Sequence, residues 1–107
     1  MDLGMSRGKI AVQCSHAAVS AAEEARTRFR QWYSSWMDEG QAKIAVKVKD
    51  VDSLLELERS ARLIPVPTHL VRDKGLTEVP LGSITCLAIG PGPSRTIDAL
   101  TGKLRLL

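Results

Sequence analysis

A single α/β domain is the fold class this sequence predicts, and three observations predict it. Residues 6–28 carry small apolar side chains at helical spacing, residues 43–49 alternate apolar with polar ones, and residues 83–90 form a short apolar run closed by glycine and proline. At 107 residues the chain has room for one core and not two, so residues 1–107 read as one domain. Its 44% hydrophobic and 25% charged content is ordinary for a soluble globular protein, which argues against a disordered or membrane-embedded class. No apolar run approaches membrane-spanning length, and the first residues lack the charged and apolar regions of a signal peptide. The formal charge of +3 permits a nucleic-acid partner without establishing one.

The elements follow in order. Met1-Asp2-Leu3-Gly4 is a polar lead-in of the kind that follows a strand, yet no strand precedes it in this sequence. Ser6 is a plausible N-cap for a long helix running to about Arg26 or Arg28. On that helix Ile10, Cys14, Ala17, Ala18, Ala21, Ala22 and Ala25 make one apolar stripe small enough for the backbone to lie close to a sheet. Lys9, Gln13, His16 and Ser20 stack on a polar ridge, which reads either as a solvated face or as the border of a cleft. Ser6-Arg7-Gly8-Lys9 at the helix start tips the balance toward a cleft, because unpaired N–H groups and the positive dipole end favour anions there. Gly8-Lys9 lacks the full spacing of a nucleotide P-loop, so that motif is rejected.

Arg26, Arg28 and Arg30 form a short basic cluster, read as a solvated face or a phosphate contact. Phe29, Trp32, Tyr33 and Trp36 hold all the aromatic rings, on a second helix ending at Gly40; they cap a core or stack on bases. Ile44, Val46 and Val48 alternate with Lys43, Ala45, Lys47 and Lys49, as in a half-buried strand. Asp50 caps a helix to about Leu63, with Val51, Leu54, Leu55, Leu57 and Ala61 facing inward and Pro65 and Pro67 barring its continuation. Residues 66–72 read as a strand carrying His69, and Asp73-Lys74-Gly75-Leu76-Thr77 as a loop with a tight turn at Gly75. Ser83 to Gly90 is a buried strand, Ser94 to Leu100 a short helix, and Leu104 to Leu107 an extended tail suited to an edge strand. Cys14 and Cys86 match no metal-ligand spacing and read as two buried, reduced thiols of a cytosolic protein. No other spacing suggests a metal site.

Several of these segments together resemble one family. They are residues 6–18 (Ser-Arg-Gly-Lys-Ile-Ala-Val-Gln-Cys-Ser-His-Ala-Ala), Glu39-Gly40-Gln41, Asp73-Lys74-Gly75-Leu76-Thr77, Gly82-Ser83, Ile89-Gly90-Pro91-Gly92-Pro93, Ile97-Asp98 and Leu100-Thr101-Gly102-Lys103-Leu104. In this order and at these intervals they resemble the type II peptidyl-tRNA hydrolases of archaea and eukaryotes, over essentially the whole chain. The resemblance implies a three-layer α/β sandwich, with a mixed sheet of four strands and helices on both faces. It implies hydrolysis of the ester joining a stalled peptide to the 3′ end of a tRNA, in the cytoplasm, without metal or cofactor. The family's catalytic lysine falls on Lys9, and the Asp and Thr of its loop motif fall on Asp73 and Thr77. Gln13, Ser15 and His16 match the rest of the helical motif and are expected to line the same cleft.

Two departures stand out. Lys74 replaces the usual alanine, adding a cation beside Asp73 that favours the charged carboxylate or contacts a phosphate. The family also opens with a hydrophobic core strand ahead of the segment matching Asp2-Leu3-Gly4-Met5, and this sequence begins without it. Loss of such a strand leaves backbone groups of its neighbours unpaired. The expectation is therefore a marginal monomer, or one completed by strand exchange, rearrangement or a homodimer.

Ester hydrolysis needs an activated water, oxyanion stabilisation and a proton for the leaving oxygen. The expected roles are Asp73 on the water, Lys9 on the developing charge, Thr77 positioning water or loop, and His16 as a second proton-transfer group. Arg7, Lys43, Lys47, Arg72 and Lys74 are candidate phosphate contacts, with Arg7 and Lys74 foremost for their position. Two other readings stand beside this one. One is a non-catalytic tRNA- or protein-binding member disabled by the lost strand; the other is a structural domain dimerising through the Phe29–Trp36 helix.

Overall fold

The computed structural model describes residues 4–73 and 82–107. Residues 1–3 and the loop positions Lys74, Gly75, Leu76 and Thr77 lie outside the described residues. The long helix α1 spans Arg7–Arg28, and Ser6 caps it by accepting the Lys9 amide on Oγ at 3.1 Å. Arg26 and Arg28 in the last turn complement the negative end of the dipole. The chain turns at Phe29 into α2 (Arg30–Asp38), and Gly40, at φ 103°, takes the left-handed position beyond its end that a side chain would resist.

Asp50 caps α3 (Val51–Arg62), its Oδ1 accepting the Ser53 amide at 2.8 Å. Hydrogen bonds from the Ser53 side chain and backbone hold the Asp50 carboxyl below the usual carboxylate range. Among the inward positions expected on α3, Ala61 is fully buried, and Val51, Leu54, Leu55 and Leu57 are half-buried.

The strands are β1 (Val46–Lys47), β2 (Thr68–Arg72), β3 (Ile84–Ile89) and β4 (Arg105–Leu106), with α4 (Ser94–Thr101) before the last. β4 pairs antiparallel with β1, Val46 opposite Leu106, so the tail forms the expected edge strand. β2 pairs antiparallel with β3, from Thr68 opposite Ile89 to Arg72 opposite Ile84. The α/β class holds, and the sheet has its own form. Among the described residues the strands pair two by two, β1 with β4 and β2 with β3, rather than in one mixed sheet. Among the described residues each strand has one partner, and both pairs run antiparallel. Among the described residues β1 is shorter than the alternation at residues 43–49 suggests, and its pairing with β4 is continued by the Leu107 amide, bonded to the Ala45 carbonyl.

The core lies where α1 and α3 both pack on β2 and β3. Ala17, Ala21 and Ala25 of α1 are buried there, as are Ala61 of α3 and Val66, Pro67 and Val71. Glu24 fastens the middle of this contact, accepting the Thr68 amide on Oε1 at 3.1 Å.

The buried line on α1 runs Lys9, Gln13, Ala17, Ala21, Ala25, every fourth residue. Each such step turns about 40° around the axis, so the contact winds along an inclined ridge and not down one fixed face. This explains why the expected polar ridge divides. Lys9 and Gln13 enter the protein at the start of the ridge, while His16 is left exposed and Ser20 half-buried as the contact moves away from them.

Candidate active site

Three polar side chains that the fold buries meet at one end of α1. Lys9 and Gln13 sit one turn apart on the buried ridge, and Asp73 follows directly after β2. Lys9 Nζ donates to Asp73 Oδ1 at 2.7 Å, and both side chains are only 6% exposed. Gln13 Nε2 donates to the same oxygen at 3.4 Å. Backbone bonds pin the carboxylate: the Asp73 amide donates to the Ser83 carbonyl and the Gly82 amide to the Asp73 carbonyl, each at 2.8 Å. The ladder of β2 and β3 is thus prolonged up to the residue that bears the charge.

Thr85 joins this group without having been expected there. Its hydroxyl donates to Gln13 Oε1 at 3.1 Å, which turns the amide so that its NH₂ faces Asp73. The β2–β3 register skips Thr85 between the pairs Val71–Cys86 and Arg72–Ile84. Such a bulge lets neighbouring side chains reach the same side, and Thr85 and Cys86 both meet α1, at Gln13 and Cys14. No linear spacing ties position 85 to position 13. The only signal in the sequence is a threonine within an otherwise apolar strand.

The other expected residues are placed as follows. Arg7 is exposed in the first turn of α1, two residues before Lys9, and Arg72 is exposed directly before Asp73. Ser15 is not brought to the group: it is exposed, and its hydroxyl donates to the Ala11 carbonyl of its own helix at 2.8 Å. His16 is likewise set apart, about 10 Å along the axis from Lys9 at 1.5 Å per residue. Its ring lies 6.1 Å from that of His69, between centroids. Lys74 and Thr77 lie outside the described residues.

Lys43 is remote from this end, its Nζ bonded to the Gln41 carbonyl and held 5.3 Å from the centre of the Trp36 ring. The basic cluster after α1 is engaged locally, with Arg26 on Glu23, Arg28 near Glu24 and over Phe29, and Arg30 directed at the Arg26 carbonyl. That is a solvated face. The aromatic rings are half-buried and pack on one another, Phe29 stacked on Trp32 at 5.0 Å, as a core cap does. Among the described residues no group of three or more His, Cys, Asp or Glu side chains is arranged to hold a metal ion.

A family model described as peptidyl-tRNA hydrolase PTH2 matches residues 1–107. Among similar curated proteins, the peptidyl-tRNA hydrolase of Staphylothermus marinus is 49% identical over 106 residues, covering 99% of this chain and 88% of its own. That of Thermococcus sibiricus is 47% identical over 106 residues, covering 99% and 90%. The peptidyl-tRNA hydrolase of Saccharolobus solfataricus is 39% identical over 110 residues, covering 99% and 92%.

A buried ion pair is weak support for stability, but removing one partner strands the other charge at a cost of about 3–5 kcal/mol. Lys9→Met and Asp73→Asn are each expected to lower unfolding free energy by about that amount in urea titrations. The double variant, with neither charge left, should regain all but about 1 kcal/mol. Single losses that simply add in the double variant contradict a coupled buried pair.

Proposed function

Because the chain belongs to the peptidyl-tRNA hydrolase PTH2 family, we propose that it cleaves the ester between a peptide and the 3′ oxygen of its tRNA at the Lys9–Asp73 centre. The observation that carries this reading is a charged pair held almost out of water at the two positions the family resemblance assigns to catalysis. Such a pair adds little to stability, which favours a chemical role for it. Nothing in the arrangement favours a non-catalytic member of the fold.

In the proposed reaction the Asp73 carboxylate orients a water and takes its proton as the oxygen attacks the ester carbonyl carbon. The ammonium of Lys9 stabilises the negative charge that develops on the carbonyl oxygen. Gln13, turned by Thr85, keeps Asp73 from rotating away. Collapse of the tetrahedral species breaks the bond to the 3′ oxygen, which leaves with the proton that Asp73 took from the water. Thr77 is proposed to position water or loop. His16, whose ring lies near that of His69, is proposed as a second proton-transfer group.

The same proposal covers what surrounds the reaction. tRNA is held chiefly through phosphates, with Arg7 and Lys74 foremost and Arg72 beside them, and recycled tRNA places the activity in the cytoplasm. A homodimer is supported by the apolar exposure around β1 and β4, where Ile44, Leu106 and Leu107 are 78%, 71% and 50% exposed.

Three measurements test these statements. Asp73→Asn should lower kcat for peptide release from peptidyl-tRNA by about 10²–10⁴-fold with little change in KM; retention of most of the parent rate contradicts the assignment. Binding of tRNA should weaken steeply with salt, and Arg7→Ala should reduce the slope by about one, whereas an unchanged slope removes Arg7 from the phosphate contacts. Sedimentation should reveal a dimer that Leu106→Glu dissociates, and a monomer at every concentration refutes it.

A further inference from the structure

Cys14 on α1 and Cys86 on β3, distant by 72 positions in sequence, bring their sulfurs to 3.8 Å. Both are free thiols, and both are half-buried. A disulfide needs about 2.05 Å between sulfurs, so a shift of less than 2 Å closes the gap. The neighbours of these two residues are the notable point. Gln13 precedes Cys14 and Thr85 precedes Cys86, and the Thr85–Gln13 hydrogen bond is what sets the amide against Asp73.

We propose that Cys14 and Cys86 form a reversible intramolecular disulfide, a modification site whose closure displaces Gln13 from Asp73 and slows hydrolysis. The oxidant is a peroxide. Burial first, and then the neighbouring Cys14, push the Cys86 thiol up to about 12, which disfavours its thiolate, and in the proposed step Cys14 attacks. Its thiolate forms a bond to one peroxide oxygen, the O–O bond breaks, and the other oxygen leaves as water after gaining a proton. Cys86 then gives up its proton, its sulfur attacks the sulfur of the Cys14 sulfenic acid, the S–S bond forms and the S–O bond breaks, releasing a second water. Two thiols lose two electrons and the peroxide gains them. A dithiol reductant reverses the change by exchange.

The crosslink ties the α1 helix to the β2–β3 bulge immediately beside the Gln13–Thr85 contact. Displacements of about 1 Å near reacting groups cost up to about 10²-fold in rate. A loss of about tenfold is expected here, because Lys9 and Asp73 themselves are not crosslinked.

The experiment treats the full chain with hydrogen peroxide and then with dithiothreitol, following free thiols, peptide mass and peptide release together. The expected result is loss of both thiols, a Cys14–Cys86 linked peptide, a rate about tenfold lower and recovery with dithiothreitol. Cys14→Ser and Cys86→Ser should each keep the basal rate and lose the peroxide response. A sulfinic or sulfonic acid at Cys14 without a crosslink, or a disulfide between two chains, overturns the proposal, as does a crosslink that leaves the rate unchanged. The rate effect rests on the hydrolase reading, but the mapped crosslink does not. A reduced chain without turnover therefore counts against that reading, and the peptide map still decides whether the disulfide forms.

Discussion

A lysine and an aspartate held 2.7 Å apart, with hardly any water around either, set the terms for the rest of the fold. Desolvating two charges costs several kcal/mol each and is offset only by close approach and further hydrogen bonds. The chain meets that demand from both sides. Asp73 is fixed by its backbone bonds to residues 82 and 83, and Lys9 by its place in the first turns of a helix capped at Ser6. The alanines at 17, 21 and 25 let that helix lie close on the strands. The same closeness carries Lys9 and Gln13, at the head of the ridge, down to the level of the carboxylate.

Much of this was legible in the linear chain, because capping and spacing are local. Ser6, Asp50 and Gly40 mark element ends through bonds to residues three or four positions away, or through one backbone angle, and each does so in the structure. The resemblance placed Lys9 and Asp73 together across 64 positions, and Lys9 Nζ reaches Asp73. What sequence reading missed depends on register. Thr85 reaches Gln13 because the β2–β3 ladder slips between Val71 and Arg72, and no pattern of residue types announces that slip. The division of the polar ridge, with Lys9 and Gln13 buried and His16 exposed, has a related cause: a helical wheel assumes one fixed contact face, while this contact winds around the helix. His16 instead finds the histidine of β2. The two-by-two pairing of strands among the described residues likewise turns on partners that no single strand's alternation reveals.

The basic residues show how little a net charge of +3 says alone. Arg26, Arg28 and Lys43 are engaged by glutamates, aromatic rings or a carbonyl close by, whereas Arg7 and Arg72 stand exposed in sequence beside Lys9 and Asp73. Position decides which cations meet a polyanion. A substrate steered by its phosphates to that end of α1 would present its ester at the buried pair.

The central claim is that Lys9 and Asp73 act as one catalytic unit. A kinetic cycle on kcat/KM for peptide release, using Lys9→Met, Asp73→Asn and the double variant, tests it most directly. The account predicts a double variant hardly slower than the slower single variant, as for residues that work only together. Losses that multiply in the double variant would mean independent contributions and contradict it.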